Sequence, residues 1–121
     1  MSVIAQLRSA LKPMNIDIAQ DRYAGDAGRW ITYNVVTESP SSYADDAPKE
    51  ETTYLQVHLY VQGAENGGKK PVNYIPLQKR LRKLLFEAGF SYPIVALNIV
   101  EEDTKMRHIC LETNIDTEVE E

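Results

Sequence analysis

An alternating segment from Thr52 to Gln62 places the strongest constraint on how this chain can fold. Its sequence, TTYLQVHLYVQ, has a period of two, and that period places successive side chains on opposite faces of a β-sheet. One face should line a core, and the other should carry aromatic and polar groups. The core set is Thr53, Leu55, Val57, Leu59 and Val61, and the opposite set is Tyr54, Gln56, His58, Tyr60 and Gln62. A strand of about ten residues is roughly twice the usual length, so we expect it to project beyond the body of a small domain.

The segment before this strand, Glu38 to Glu50, is rich in serine, proline and acidic residues and is predicted to be a loop. Its length of about thirteen residues is unusual for a connection in a compact domain, and such loops are often functional or mobile. A projecting strand that follows an acidic loop is typical of a segment that binds a neighbouring molecule. Similar reasoning predicts a mobile, acidic tail over 115–121 that frays into solvent.

The size and composition indicate one globular domain that spans residues 1–121. A chain of 121 residues can bury about two thirds of its unfolded surface, which is enough for a hydrophobic core. Hydrophobic residues make up 43% and charged residues 26%, as is ordinary for such a domain. No apolar run approaches the ~20 residues that a membrane span requires. The lone Cys110 excludes an intramolecular disulfide and fits a reducing interior.

Charge is distributed unevenly along the chain, although the net charge is only −5. Every charged residue between Asn66 and Phe86 is basic, whereas every charged residue after Leu111 is acidic. Such polarity can orient a partner, or it can orient identical copies of the same chain.

The periodic segments follow one another as a helix, two or three strands, a second helix and two strands. The predicted helices cover Val3 to Lys12 and Asn73 to Ala88, and Gly89 is placed for a left-handed cap. The other predicted strands are 15–20, 30–37, 92–101 and 107–113. This order favours an α+β domain with a mostly antiparallel sheet of four or five strands. Two helices should pack on one face, and a long strand or hairpin should project.

Few residues could support catalysis or metal binding. His58, His108 and Cys110 could share one face of the sheet, but no zinc signature is present. The acidic pairs at 45–46 and 50–51 lie in a polar segment, where solvated charge is the plainer interpretation. A nucleophilic cysteine would need an activating neighbour, whereas a core or interface cysteine needs none. We therefore predict no enzyme activity, no metal and no cofactor.

Two further groups are candidates for contact with other molecules. The basic run QKRLRK, from Gln78 to Lys83, can be a solvated helix face, a contact for an acidic neighbour or a nucleic-acid contact. Tyr54 and Tyr60 lie opposite the core set, and tyrosine favours half-buried positions at interfaces. Subunit contact and a small core beneath a loop both fit these tyrosines.

Five segments carry a resemblance to a known family. They are WITYN at 30–34, SYADD at 42–46, YLQVHLY at 54–60, LLFEAGF at 84–90 and EEDTKMRH at 101–108. In this pattern, which spans most of the chain, the sequence resembles the tail-completion or tail-terminator proteins of long-tailed bacteriophages and prophages. Those proteins are small α+β domains of similar length.

The resemblance implies a non-enzymatic virion protein at the head-proximal end of the tail, assembled in the host cytoplasm. It implies a ring, often a hexamer, that caps the tail tube and offers a surface to the head–tail connector protein. The implied partners are copies of itself, the tail tube protein and the connector, with weak contact to passing DNA and none to a membrane. No cofactor is implied.

The charge pattern adds a hypothesis about how copies of the chain would meet. The acidic loop or tail of one copy should contact the basic helix of the next, so charge reversal at Arg80 and Lys83 should weaken assembly. The predicted interface residues are Tyr43, Asp45, Asp46, Tyr54, Tyr60, Lys79, Arg80 and Lys83.

Three alternatives stay open at this point. One is another neck or minor tail component of a phage. A second is a small ligand-binding or enzymatic α+β domain that uses His58, His108 and Cys110, for which bound metal would be the evidence. A third is a nucleic-acid-binding module built on the basic helix, for which steeply salt-dependent DNA binding would be the evidence.

Overall fold

The computed structural model describes residues 2–44, 47–65, 67–68 and 70–119 of the chain. Helices and strands over these residues follow the order that the sequence predicts. The elements are α1 (Val3–Leu11), a 3-10 turn (Lys12–Met14), β1 (Asp17–Gln20), β2 (Arg29–Ala44), β3 (Ala47–Gln62), α2 (Tyr74–Glu87), β4 (Ile94–Val100) and β5 (Met106–Glu118).

All of these strands belong to one sheet with the order β1-β2-β3-β5-β4. β1 runs parallel to β2, and the other neighbouring strands are antiparallel. Leu7 and Leu11 of α1 and Leu81 and Leu85 of α2 are fully buried in the same core as the strand residues. The helices therefore pack on one face of the sheet, and the predicted α+β class is confirmed.

The burial of side chains along β3 follows the alternation that the sequence predicts. The core set of Thr53, Leu55, Val57, Leu59 and Val61 lies towards the helices, and none of these residues is more than 2% exposed. Each large aliphatic side chain buried in this way stabilises the fold by about 1.5–3 kcal/mol. In the opposite set, only the terminal Gln62 is buried among the described residues.

Local signals begin and end the helices. The Ser2 hydroxyl accepts a hydrogen bond from the Ala5 amide at 3.1 Å, and the Asn73 side chain accepts one from the Ile75 amide at 3.2 Å. Both are side-chain caps for amides that lack a partner within the helix. Gly89 follows α2 with φ +100°, as predicted for a left-handed cap. None of the helices among the described residues is long and apolar enough to cross a membrane.

The prediction of a loop over 38–50 is wrong for the residues that the structure describes. β2 and β3 are 16 residues each, and their antiparallel pairing continues through Ser42↔Glu50 to Ala44↔Ala47. Pro40 lies next to a bulge in this pairing, and a bulge or a sheet edge tolerates the missing amide of proline. Asp45 and Asp46 lie outside the described residues. The predicted mobility of this segment stays a prediction.

The predicted fraying of the tail is also wrong as far as the structure describes it. β5 continues to Glu118, which pairs with Glu50 of β3. Ile115 is only 6% exposed and belongs to the core, so the strand is anchored beyond the predicted end of its pairing. The Val119 amide donates to the Lys49 carbonyl at 2.9 Å. Residues 120–121 lie outside the described part of the chain.

The outer halves of β2 and β3 form an arm, defined here as residues 36–44 and 47–51. A 16-residue strand spans about 50 Å at ~3.3 Å per residue, whereas the 14-residue α2 spans about 21 Å. Every described residue of the arm is exposed or half-buried. The expected projection beyond the helix-covered core is therefore present, but it is a two-stranded projection rather than a strand and a loop.

Candidate functional site

Stacked rings cross the face of the sheet opposite the helices. The centroids of Tyr23 and Trp30 lie 4.7 Å apart, those of Trp30 and Tyr60 5.3 Å, and those of Tyr60 and His108 4.3 Å. Trp30 pairs with Tyr60 and Tyr60 pairs with His108 across neighbouring strands, so the strand spacing itself brings the rings into stacking distance. We call these four residues the ring row.

His108 of the ring row also contacts a second histidine, His58, which lies beside the row. His58 Nδ1 lies 2.7 Å from His108 Nε2, and His58 Nε2 lies 3.0 Å from the Asn34 Oδ1 atom. Because an amide oxygen only accepts, His58 Nε2 carries the proton and donates to Asn34. The Nδ1 atom of a neutral His58 then accepts from the Nε2–H group of His108. The arrangement satisfies both rings only when they are uncharged or share a single added proton.

The surroundings of this pair favour the neutral imidazoles. Burial lowers the pKa of His58, and the neighbouring His108 lowers it further. Burial also lowers the pKa of His108, while the carboxylate of Glu101 acts in the opposite direction. Protonation of both rings is therefore opposed by desolvation and by their mutual repulsion.

Cys110 lies in register with His58 on the same face but is not arranged as a nucleophile. The residue is 5% exposed, and burial together with the nearby Glu112 raises the pKa of its thiol. A nucleophilic cysteine needs the opposite shift, towards the thiolate. No group of three histidine, cysteine or acidic side chains among the described residues could hold a metal ion. Among the described residues, His58, His108 and Cys110 therefore lie on one face without forming a three-ligand group.

The predicted interface tyrosines lie on separate parts of the molecule. Tyr43 lies near the end of the arm and is 63% exposed. Tyr54 is 41% exposed on the sheet face opposite the helices, and Tyr60 is half-buried within the ring row. Burial and the nearby Glu101 raise the pKa of Tyr60, so its phenol stays protonated at neutral pH.

The predicted basic residues lie on α2, on the opposite side of the sheet from Tyr54 and Tyr60. Lys79, Arg80 and Lys83 are all exposed. Arg80 donates through Nη2 to the Pro13 carbonyl at 3.2 Å, so it also ties α2 to the turn that follows α1. Lys79 and Lys83 form no ion pair with another residue of the described ranges. These two lysines are therefore better placed than Arg80 to meet another molecule.

The outer edge at β4 is a feature that sequence reasoning missed. Ile94, Leu97 and Ile99 are 69%, 38% and 46% exposed, and β4 contains no charged residue. Proteins usually protect such edges with charged side chains or proline, because an open edge can pair with another chain. The sequence does show that the run from Ile94 to Val100 is uncharged. Only the strand order of the folded sheet, however, places this run at an edge.

These features define the class of protein. It is a single α+β domain with an open sheet face, a projecting arm and surface lysines that have no ion pair among the described residues. No protein-family model matches the chain, and no curated protein matches it in sequence. Among solved structures, the chain is similar to a protein chain from the virion of a native gene transfer agent particle. The TM-score is 0.52 at 13% sequence identity, and the match covers 98% of this chain and 92% of that chain. At this identity, the similarity shows a shared fold.

Proposed function

We propose that this protein is a non-enzymatic structural component of a phage-like virion. The observation that carries the proposal is the fold shared with a chain from the virion of a gene transfer agent particle over almost the whole of both chains. A match of this extent includes the arm and both helices, so it concerns the architecture of the complete domain rather than one common motif.

The surfaces of the protein support a role in assembly. The arm extends nine residues of β2 and five residues of β3 beyond the helix-covered core, and all of them are exposed or half-buried in an isolated subunit. The edge at β4 is apolar and uncharged, and two lysines of α2 have no acidic partner among the described residues. Features of this kind are typical of proteins that are completed by neighbours.

Within the particle, the proposed role is that of a tail terminator. Copies of the protein would form a ring at the head-proximal end of the tail, stop growth of the tail tube and present a surface to the head–tail connector. The long segments WITYN and YLQVHLY, which carry the sequence resemblance, fall in β2 and β3. They lie in the central strands of the sheet, next to the arm, so these two segments of the resemblance fall within the matched fold.

A second candidate is another neck or minor tail component. The shared fold is equally compatible with that role, because the matched chain belongs to a virion and the match concerns the fold alone. The two roles differ in where the protein binds. A terminator binds the end of a completed tube, whereas a tube or neck component is incorporated along the tube or binds the connector alone.

Tube capping tests the proposed function. Purified protein is added at increasing ratios to the tail tube protein from the same virus or prophage as the tube assembles, and tube lengths are measured by electron microscopy. A terminator shortens the tubes and is seen at one end of each tube. Unchanged tube length, or labelling along the whole tube, would contradict the terminator role and favour the second candidate.

A separate measurement tests DNA binding. Weak binding of duplex DNA that disappears with modest salt is compatible with a ring through which DNA passes. Tight binding with a steep salt dependence, in a protein that does not cap tubes, would instead support the nucleic-acid-binding alternative.

A further inference from the structure

An acidic groove lies where the helix-covered core gives way to the arm. Its volume is about 360 Å³. The lining residues include Val3, Ile4, Val35 and Val119 together with the acidic residues Glu38 and Glu51. Glu118 also lines the groove, but it alternates with Thr117 and Val119, so its side chain lies on the opposite face of the sheet. No basic residue of the described ranges lines it. A groove with apolar and acidic walls fits a partner surface that combines apolar and basic side chains.

The outer face of α2 has this composition. Ile75 and Phe86 are large apolar residues, 48% and 59% exposed, and Lys79 and Lys83 lie between them. At 100° per residue, the four positions fall within about 80° of one another around the helix axis. They extend over about 16 Å along the helix. We call these four residues the basic stripe.

Among the described residues, the charges of both surfaces lack partners. Neither the lysines of the stripe nor Glu38 and Glu51 of the groove form an ion pair with another residue that the structure describes. A basic group from another molecule would give these carboxylates a partner.

We propose that the basic stripe of one copy docks into the acidic groove of the next copy. The proposal rests on the ring of the proposed function and assigns its contact surfaces. The second copy is the occupant that the chain itself provides, since it carries an exposed helix face that matches the groove in both charge and apolar character. An amphipathic helix in a groove is a common mode of recognition.

The proposed contact is of the head-to-tail kind. The stripe and the groove are different patches of the same subunit, so each copy offers one stripe and one groove. Contacts of this head-to-tail kind close into a ring when the rotation between copies permits. A two-fold dimer would instead need the same patch on both partners.

A charge-swap experiment tests the docking. The stripe variant carries Lys79→Glu and Lys83→Glu, and the groove variant carries Glu38→Lys and Glu51→Lys. Light scattering across a sizing column at low salt should give an oligomer for the wild type and a monomer for each variant alone. A mixture of the two variants should regain the oligomer, because the acidic stripe of one fits the basic groove of the other.

A matched control separates position from net charge. Arg22→Glu with Lys70→Glu changes the charge by the same amount as the stripe variant, at exposed residues outside both surfaces. This control should keep the oligomer of the wild type, and circular dichroism with thermal melts should show that all variants are folded.

Three results would overturn the docking proposal. They are a wild type that stays monomeric at every concentration, charge variants that keep the wild-type mass, and folded variants that fail to associate when mixed. Loss of tube capping without loss of self-association would assign the stripe to another virion protein. If the wild type caps tubes but the charge variants contradict the docking, the docking proposal is wrong and the proposed function stands. If the variants support the docking but the wild type does not cap tubes, the terminator role is wrong and the docking proposal stands.

Discussion

His58 Nδ1 and His108 Nε2 lie 2.7 Å apart on neighbouring strands, with Asn34 Oδ1 accepting from the other nitrogen of His58. The two histidines are far apart in sequence and are joined by the register of β3 and β5, in which Tyr60 pairs with His108. His108 in turn closes the ring row against Tyr60 at 4.3 Å. The protonation state of this pair therefore bears on the stability of the sheet face opposite the helices.

Acidification should destabilise the protein through this pair. The pKa values of His58 and His108 are both lowered from 6.5 in the folded protein, so near and below that pH the unfolded chain binds more protons. The free energy of unfolding should fall as the pH drops from 7 through 6.5 towards the lowered pKa values, and level off below them. Urea denaturation followed at a series of pH values measures this slope.

The double variant His58→Gln with His108→Gln provides the control. It has no titrating group at either position, so its stability should change less with pH in the same range, even if its stability at pH 7 is lower. Carboxyl groups ordinarily titrate at lower pH, and both proteins share the slope that they contribute. Equal slopes in the wild type and the double variant above about pH 5 would contradict the role assigned to the pair.

The ring row should contribute measurably to stability although its face is open. Trp30→Ala removes stacking with Tyr23 and Tyr60 and exposes part of their surface. Stacked pairs contribute about 0.5–1.5 kcal/mol each beyond area burial, so a total loss of about 2–3 kcal/mol is expected by urea denaturation. Tyr43→Ala, at a residue 63% exposed on the arm, should change stability by less than about 0.5 kcal/mol. Similar losses for the two variants would show that the row is not a stabilising unit.

The end of α2 offers a test of backbone geometry. Gly89 has φ +100°, where a side chain is strained, yet a Cβ placed there would meet only ordinary contacts at 3.8 Å. Gly89→Ala should therefore cost about 1–2 kcal/mol through the backbone alone. Gly28→Ala is the matched control, because no atom lies within 4 Å of the added Cβ and its φ is not positive. Thermal melts that rank the two variants equally would refute the backbone explanation.

The parts of the fold that depend on local chemistry could be predicted from the sequence. The cap at Gly89 and the core face of β3 follow from residue type and spacing over a few positions, whereas Asn73, predicted inside α2, is the residue that caps it. The arm could not be predicted in this way. Its serine, proline and acidic residues are typical of a loop, but hydrogen bonds to partner strands determine its structure, and such pairing is not visible in local composition.

The candidate surfaces were less predictable for the same reason. Tyr60 and His108 could be identified as residues of one sheet face, but their stacking depends on the register between β3 and β5. The acidic groove draws its lining from α1, β2, β3, β5 and Val119, so no single segment of the sequence indicates it. The basic stripe, by contrast, lies on one helix, and the charge run from Gln78 to Lys83 pointed to it directly.

Glu118 provides a prediction in which folding and assembly respond independently. Its pairing with Glu50 places like charges directly across neighbouring strands, on the sheet face opposite the acidic groove. Glu118→Lys replaces the repulsion with an attractive pair, so the isolated subunit should gain about 0.2–1 kcal/mol in the free energy of unfolding. The same change adds a cation on the other face of the sheet and none in the groove, so self-association with the basic stripe should stay the same.

The two effects are separated by measuring them under different conditions. The free energy of unfolding is determined by urea denaturation at high salt and low protein concentration, where the subunit is monomeric. Self-association is determined by light scattering at low salt. Glu118→Gln is the control, because it removes the repulsion without adding a cation, so it should raise stability less and leave association unchanged. A Glu118→Lys variant that loses self-association would show that the contact uses the opposite face of the sheet and not the groove.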